Sequence, residues 1–198
     1  IFLIISFLLS ALIIKEFNIS FLINTILVTS AFFLFFSTLR EFFIKRFKNL
    51  SQNIAHFGFS LLILSILLNN IFSNEITTNL KVGEKFINDK FQIKFIDLKQ
   101  SKEKNYISFR GYFLIKEDGI EDKLEPELRV YDQPNIITSE ADIKTSFLKD
   151  KFITINTVQN EEYFNIRYQV KPLMVWIWIS VLLISLGGTM SLFKKRNL

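Results

Sequence analysis

Residues Ile54–Phe72 read IAHFGFSLLILSILLNNIF, 19 positions without Asp, Glu, Lys or Arg, and soon afterwards Phe91–Lys99 reads FQIKFIDLK, where apolar and polar residues alternate. The first stretch is long enough, as a helix, to cross a bilayer core of about 30 Å. The second has the period of two of a strand with one buried face. A membrane-spanning helix running into a β domain is therefore the reading that decides the fold.

The same division holds outward from this junction. Phe2–Ile14, Phe21–Leu39 and Leu173–Phe193 are further apolar stretches of 13, 19 and 21 residues. The first has the length of a span truncated at its start. Pro172 suits the first turn of the last helix, and Trp176 and Trp178 stand one turn inside it, where an aromatic belt lies. The expected fold class is an integral membrane α-helical protein with about four transmembrane helices and an inserted antiparallel β domain. Residues 1–72 hold three helices with a basic loop near 40–53, residues 73–172 the β domain, and 173–198 the last helix and a basic tail.

Composition agrees. Hydrophobic residues are 49% of the chain and charged residues 22%, with a mean hydropathy of +0.29. Such a mixture folds only if the two classes are segregated. Segment 73–172 holds 16 Lys and Arg against 17 Asp and Glu, so the surplus behind the pI of 9.3 lies beside the spans. Arg40, Lys45, Arg46 and Lys48 face only Glu41 after the second span, and Lys194, Lys195 and Arg196 follow the fourth. The positive-inside rule puts 40–53 and the C-terminus in the cytoplasm and 73–172 outside. Charges that flank spans argue against nucleic acid as a partner. Arg40–Lys48, with Phe42, Phe43 and Phe47, is a basic amphipathic stretch suited to lipid headgroups.

Within 73–172, Tyr106–Lys116 alternates like Phe91–Lys99, and Glu125–Tyr131, Phe152–Val158 and Tyr163–Val170 are shorter strand candidates. Asn88–Asp89 and Glu117–Asp118–Gly119 supply turns. Five or so strands make a small barrel or sandwich, with Asp142–Asp150 as a helical turn. Its acids are scattered without legible pairing, and no phosphate loop, metal spacing or nucleophile motif occurs. With no Cys in the chain and no His in this segment, the domain is expected to carry no active site of its own.

His56 is the one histidine, about a turn inside the third span. An ionisable group there calls for a named partner. Two readings stand: a haem ligand through one ring nitrogen, or a packed imidazole bonded to a helix carbonyl or to Ser60. Gly58 leaves room for a flat macrocycle against the helix. Met174 and Met190 are the chain's other ligand types, and gap-filling explains them as well. Gly187–Gly188 permits close approach of another helix.

At these residues the chain resembles the CcmF family of cytochrome c-type biogenesis proteins. Ala55–His56–Phe57–Gly58 is similar to the family's A-H-x-G helix, and Pro126–Glu127–Leu128–Arg129–Val130–Tyr131 to its P-E-K-R-x-Y. Ser139–Glu140–Ala141 resembles T-E-A, and Leu148–Lys149–Asp150–Lys151–Phe152 resembles L-R-D-L-Y. Lys171–Pro172, Trp176–Ile177–Trp178 and Leu186–Gly187–Gly188 are similar to K-P, W-I-W and L-G-G of the family's last helix. Leu128 departs from the family's Lys. The tryptophan-rich W-W-D segment and the family's outer-face histidines, which precede the matched region, are absent. The chain, beginning at Ile1, thus reads as the C-terminal part of such a protein.

The resemblance implies a share in attaching haem to apocytochrome c on the periplasmic side of a bacterial inner membrane. It implies a haem-lyase subunit working with the haem-bearing chaperone CcmE and CcmH-type thiol partners. It further implies a structural haem b in the membrane, with His56 as one axial ligand, and partner contacts for which Glu127 and Arg129 are the best candidates. The alternative is a non-catalytic, membrane-anchored β-domain that serves as an assembly or interaction module.

Overall fold

A computed structural model describes residues 1–17, 21–44, 49–117, 119–158 and 162–193. Lys45, Arg46, Phe47, Lys48, Asp118 and the 194–198 tail lie outside the described residues, and with them part of the basic loop, one turn residue and the basic tail. The chain divides into two compact units. One comprises Ile1–Phe72, Phe147–Lys149 and Pro172–Leu198; the other comprises Ser73–Ser146 and Asp150–Lys171.

The first unit is helical: α1 (Phe2–Glu16), α2 (Phe21–Ile44), α3 (Leu50–Phe72) and α4 (Met174–Phe193). Three of these are long and apolar enough to cross a membrane: Leu22–Ile44, Leu50–Phe72 and Met174–Phe193, of 23, 23 and 20 residues. Three of the four expected spans thus have bilayer-crossing length among the described residues, and α1, the stretch expected to be truncated at its start, has 15 residues, about 22 Å at the helical rise. Pro172 is also not the first helical residue, since it ends a strand and α4 begins at Met174.

Small and hydroxyl-bearing residues join the helices, as expected where apolar surface gives no preference for protein over lipid. Ser10 meets Thr29 between α1 and α2 (Oγ···Oγ1, 2.6 Å), and Thr38 meets Ser60 between α2 and α3 at the same distance. Between α3 and α4 the backbones themselves approach. A Cβ on Gly187 would lie 2.6 Å from the Ala55 nitrogen and the Ser51 oxygen, whereas one on Gly188 would meet nothing. Of the glycine pair, only Gly187 serves helix packing.

The second unit is a β-sandwich. One sheet has the order β1 (Asn74–Leu80), β10 (Phe164–Pro172), β9 (Lys149–Thr157), β8 (Asp142–Thr145). The other runs β2 (Lys85–Ile87), β3 (Phe91–Lys102), β4 (Tyr106–Glu117), β6 (Glu127–Tyr131), β7 (Ile136–Glu140), with β5 (Ile120–Leu124) also on β4. The registers are antiparallel. Ile93, Phe95, Phe113 and Ile115 of one sheet and Ile153, Ile155, Ile166 and Tyr168 of the other fill the core. Phe95 stacks on Phe113 at 4.4 Å.

The alternating stretches fold as expected, yet ten strands replace five. β1, β2, β5, β7 and β8 are short or polar and carry little periodic signal of their own. Asp142–Asp150 is not helical: it holds β8 and the start of β9, paired from Asp142↔Ile153 to Thr145↔Asp150. Its backbone groups are satisfied by a partner strand, a non-local source that a local pattern does not report. Between β2 and β3 the Asn88 carboxamide oxygen accepts the N–H groups of Lys90 (3.0 Å) and Phe91 (2.8 Å), which is the self-bonding that suits Asn to turns.

Candidate functional site

α3 has three distinct faces. Ser51, Ala55 and Gly58 pack on α4. Phe57 and Ser60 turn to α2, where Phe57 meets Phe35 and Phe42 at 5.7 and 5.8 Å. The third face is Gln52, His56, Phe59, Ile66 and Asn70, all exposed, at spacings that stack them on one side of a helix. His56 thus stands outward, with Phe59 one turn on.

The Ser60 hydroxyl, named as a partner for a packed imidazole, meets Thr38 and donates to the Phe57 carbonyl at 2.8 Å. The room expected beside Gly58 is filled. A Cβ there would meet the Leu183 Cβ at 2.9 Å and the Ser180 oxygen at 3.0 Å, so α4, not a macrocycle, occupies that side. Met190 lies beyond Gly187 on α4, one turn past the level of Ala55, and is 37% exposed. An imidazole open to the outside of the helix is a group that could hold haem iron, which histidine nitrogen ligates well. Among the described residues no group of three His, Cys, Asp or Glu is placed to hold another metal.

In the β unit, Glu127 and Arg129 project from one face of β6, two residues apart. Arg129 Nη2 donates to Glu127 Oε2 at 2.9 Å, its Nη1 lies 4.0 Å from Glu140 Oε1, and its guanidinium lies 5.1 Å from the Tyr106 ring centroid. Tyr106 pairs with Tyr131 at 5.2 Å. Burial pushes the Glu127 carboxyl up, but hydrogen bonds from Arg129 and Ser108 and the nearby Arg129 and Arg110 charges outweigh it, and its pKa falls below the ordinary range. Glu127 is buried and Arg129 partly open, 11% against 31% of side-chain exposure. The carboxylate holds; the guanidinium presents.

A second charged group was not legible in sequence. Lys151 Nζ lies 2.5 Å from Glu117 Oε2 and 2.7 Å from Asp122 Oδ2, while Lys144 Nζ reaches Asp122 Oδ1 at 2.6 Å. Lys151 and Asp122 are both buried. Hydrogen bonds from Lys144 and Lys151 hold the Asp122 carboxyl below its ordinary pKa. One signal was available: Lys151 stands in the inward set with Ile153 and Ile155, and a lysine there requires an acid to meet it. Tyr168, also buried in this core, keeps a hydroxyl without a hydrogen-bond partner. Burial, together with the Glu117 and Asp122 charges, pushes that phenol's pKa up.

A family model described as "CcmF C-terminal beta-sandwich" matches residues 71–172. The chain is 28% identical over 166 residues to the cytochrome c-type biogenesis protein CcmF of Haemophilus influenzae, covering 81% of this chain and 26% of that protein. It is 27% identical to the CcmF of Pseudomonas aeruginosa, covering 73% and 22%. The chain thus spans about a quarter of the length of these curated relatives. A solved structure titled "Cytochrome c Heme Lyase CcmF" superposes with a TM-score of 0.66 at 14% identity, over 94% of this chain and 33% of that one. At that identity the likeness speaks for the fold alone.

Proposed function

The chain belongs to the CcmF family, whose C-terminal β-sandwich model its residues 71–172 match, and from that premise we propose that it forms the C-terminal part of a membrane haem-lyase subunit in cytochrome c maturation. The β unit faces the periplasm across a bacterial inner membrane, in line with the near-neutral charge of 73–172 and the cations beside the spans. His56 would ligate the iron of a haem b in the membrane. The observation that carries this reading is the outward stripe of α3, which leaves the imidazole open while the helix's other two faces are filled.

The chain's own residues do four things here. His56 would offer one ring nitrogen to the iron of a bound haem. Phe59, 54% exposed, makes an apolar wall on the same side. The Gly58 and Gly187 contacts fix α3 against α4, so the imidazole is borne on a rigid element. A bound haem supplies one-electron chemistry that the side chains lack. On the β unit, Arg129 is the contact group and Glu127 its positioning partner, toward the haem chaperone of CcmE type, CcmH-type proteins or apocytochrome c.

The test uses the full-length protein. His56→Ala should remove the membrane haem absorption and abolish cytochrome c assembly. Arg129→Ala should lower cytochrome c yield and leave that absorption intact. A normal six-coordinate haem b spectrum in His56→Ala would place the ligand elsewhere and favour the assembly-module alternative.

A further inference from the structure

The tip of the β8–β9 hairpin is chemically out of place for a turn in water. Turns favour Gly, Asn, Asp, Ser and Pro, yet here Ser146 is followed by Phe147 and Leu148, which are 60% and 66% exposed. Phe147–Lys149 also segregates with the helices rather than with the strands on either side of it.

Three contacts explain that segregation. The Leu173 N–H donates to the Leu148 carbonyl at 2.8 Å. The Phe147 ring meets Trp176 edge-on at 4.8 Å and 64°. The Asn69 carboxamide donates to the Pro172 carbonyl, tying α3 to the same corner. Between them Leu173 adopts a φ of 61°, a left-handed conformation rare for a branched side chain and kept only where surrounding contacts hold it.

Depth follows from length. α4 has 20 residues, about 30 Å, which matches the hydrocarbon thickness, so its start at Met174 marks one boundary of the bilayer. Leu148, bonded to the preceding residue, is held at that boundary. Trp176 beside it is the residue type that collects at this depth.

We infer that Phe147 and Leu148 form a lipid-binding anchor, a hairpin tip clipped to the entry of α4 whose side chains enter the headgroup–acyl boundary. The occupant is lipid because the tip is continuous with the lipid-crossing surface of α4 and presents two apolar side chains without formal charge. This inference goes beyond the haem reading and does not depend on it.

This chain has no cysteine, so single labels here need only the replacement of any cysteine in the remainder of the full-length protein. Leu148→Cys keeps the carbonyl that bonds Leu173, and Phe147→Cys serves as a second variant should the first disturb the corner. Each is labelled with an environment-sensitive fluorophore in the full-length protein and reconstituted in phosphatidylcholine vesicles, with or without bromine on the acyl carbons nearest the headgroup. Blue-shifted emission that loses about half its intensity to the brominated lipid is expected at both positions, at the depth of interfacial segments. Ile120→Cys, at an exposed position on β5, should show neither effect. Water-like, unquenched emission at 147 and 148 would overturn the anchor. Blue-shifted emission without quenching would overturn it as well, because protein rather than lipid would then cover the tip.

Discussion

The outer stripe of α3 and the charged core of the β unit treat ionisable groups in opposite ways. On α3 the imidazole of His56 is open, and the Ser60 hydroxyl, four residues on, meets Thr38 and the helix backbone. In the sandwich, Lys151 and Asp122 are buried and mutually saturated, with Glu117 and Lys144 closing the group. An ion that is buried and paired is part of the fold, and removing one partner strands the other. An ionisable group left open in a membrane helix points to an occupant from elsewhere. The proposed haem site and the proposed partner contacts therefore rest on opposite treatments of charge: an open imidazole on α3 and a saturated ion cluster in the sandwich.

The contrast breaks most directly at Lys151. Lys151→Ala leaves Asp122 and Glu117 without their buried cation and should cost the β unit about 3–5 kcal/mol, read as a lower midpoint in denaturant unfolding followed by near-ultraviolet circular dichroism. His56→Ala in the same assay should fall within about 0.5 kcal/mol of the parent. A large stability loss at His56 would show that the stripe is structural and remove the distinction.

Helix packing offers the next test. Gly187→Ala sets a methyl 2.6 Å from the backbone of α3, and rigid backbone has no rotamer with which to give way, so a loss of about 1–3 kcal/mol is expected. Gly188→Ala meets nothing and should be neutral or gain up to about 1 kcal/mol from helix propensity. Interspin distances between labels on α3 and α4 would lengthen only in the first variant.

Smaller effects separate two acids of the sandwich by sign. Asp122 has its folded pKa lowered, chiefly by the Lys144 and Lys151 hydrogen bonds. Its contribution is therefore present above the ordinary carboxylate pKa near 4 and lost as pH falls through the lower folded value. Asp150 has its folded pKa raised, chiefly by burial, so the folded state binds the proton more tightly and stability declines as pH rises from the ordinary value through the raised one. Asp122→Asn should destabilise at neutral pH and reduce acid sensitivity, whereas Asp150→Asn should be neutral or stabilising there. Melting temperatures between pH 3 and pH 7 decide it. Least of all, Tyr168→Phe deletes a buried hydroxyl that has no partner and should be neutral or slightly stabilising, since its loss leaves no new group unsatisfied.

Much of this molecule could be read without coordinates because its strongest signals are local. Nineteen uncharged residues at Ile54–Phe72 specify a span wherever they occur, since lipid requires the backbone to satisfy itself. The alternation of Phe91–Lys99 and Tyr106–Lys116 specifies strands with one inward face, and β3 and β4 follow it. His56 stood out as a candidate because one titratable residue in an apolar helix demands an explanation. What depended on partners was decided only by the tertiary structure. Asp142–Thr145 became a strand because β9 accepts it; the Gly58 cleft closed because α4 lies in it; and Glu127 became buried against Arg129 because the sandwich covers it. Asp122, Lys144 and Lys151 are 29 positions apart at most, yet their charges meet within 2.7 Å. Chain periodicity records which way a side chain points, while the distance between two side chains is set by every element packed between them.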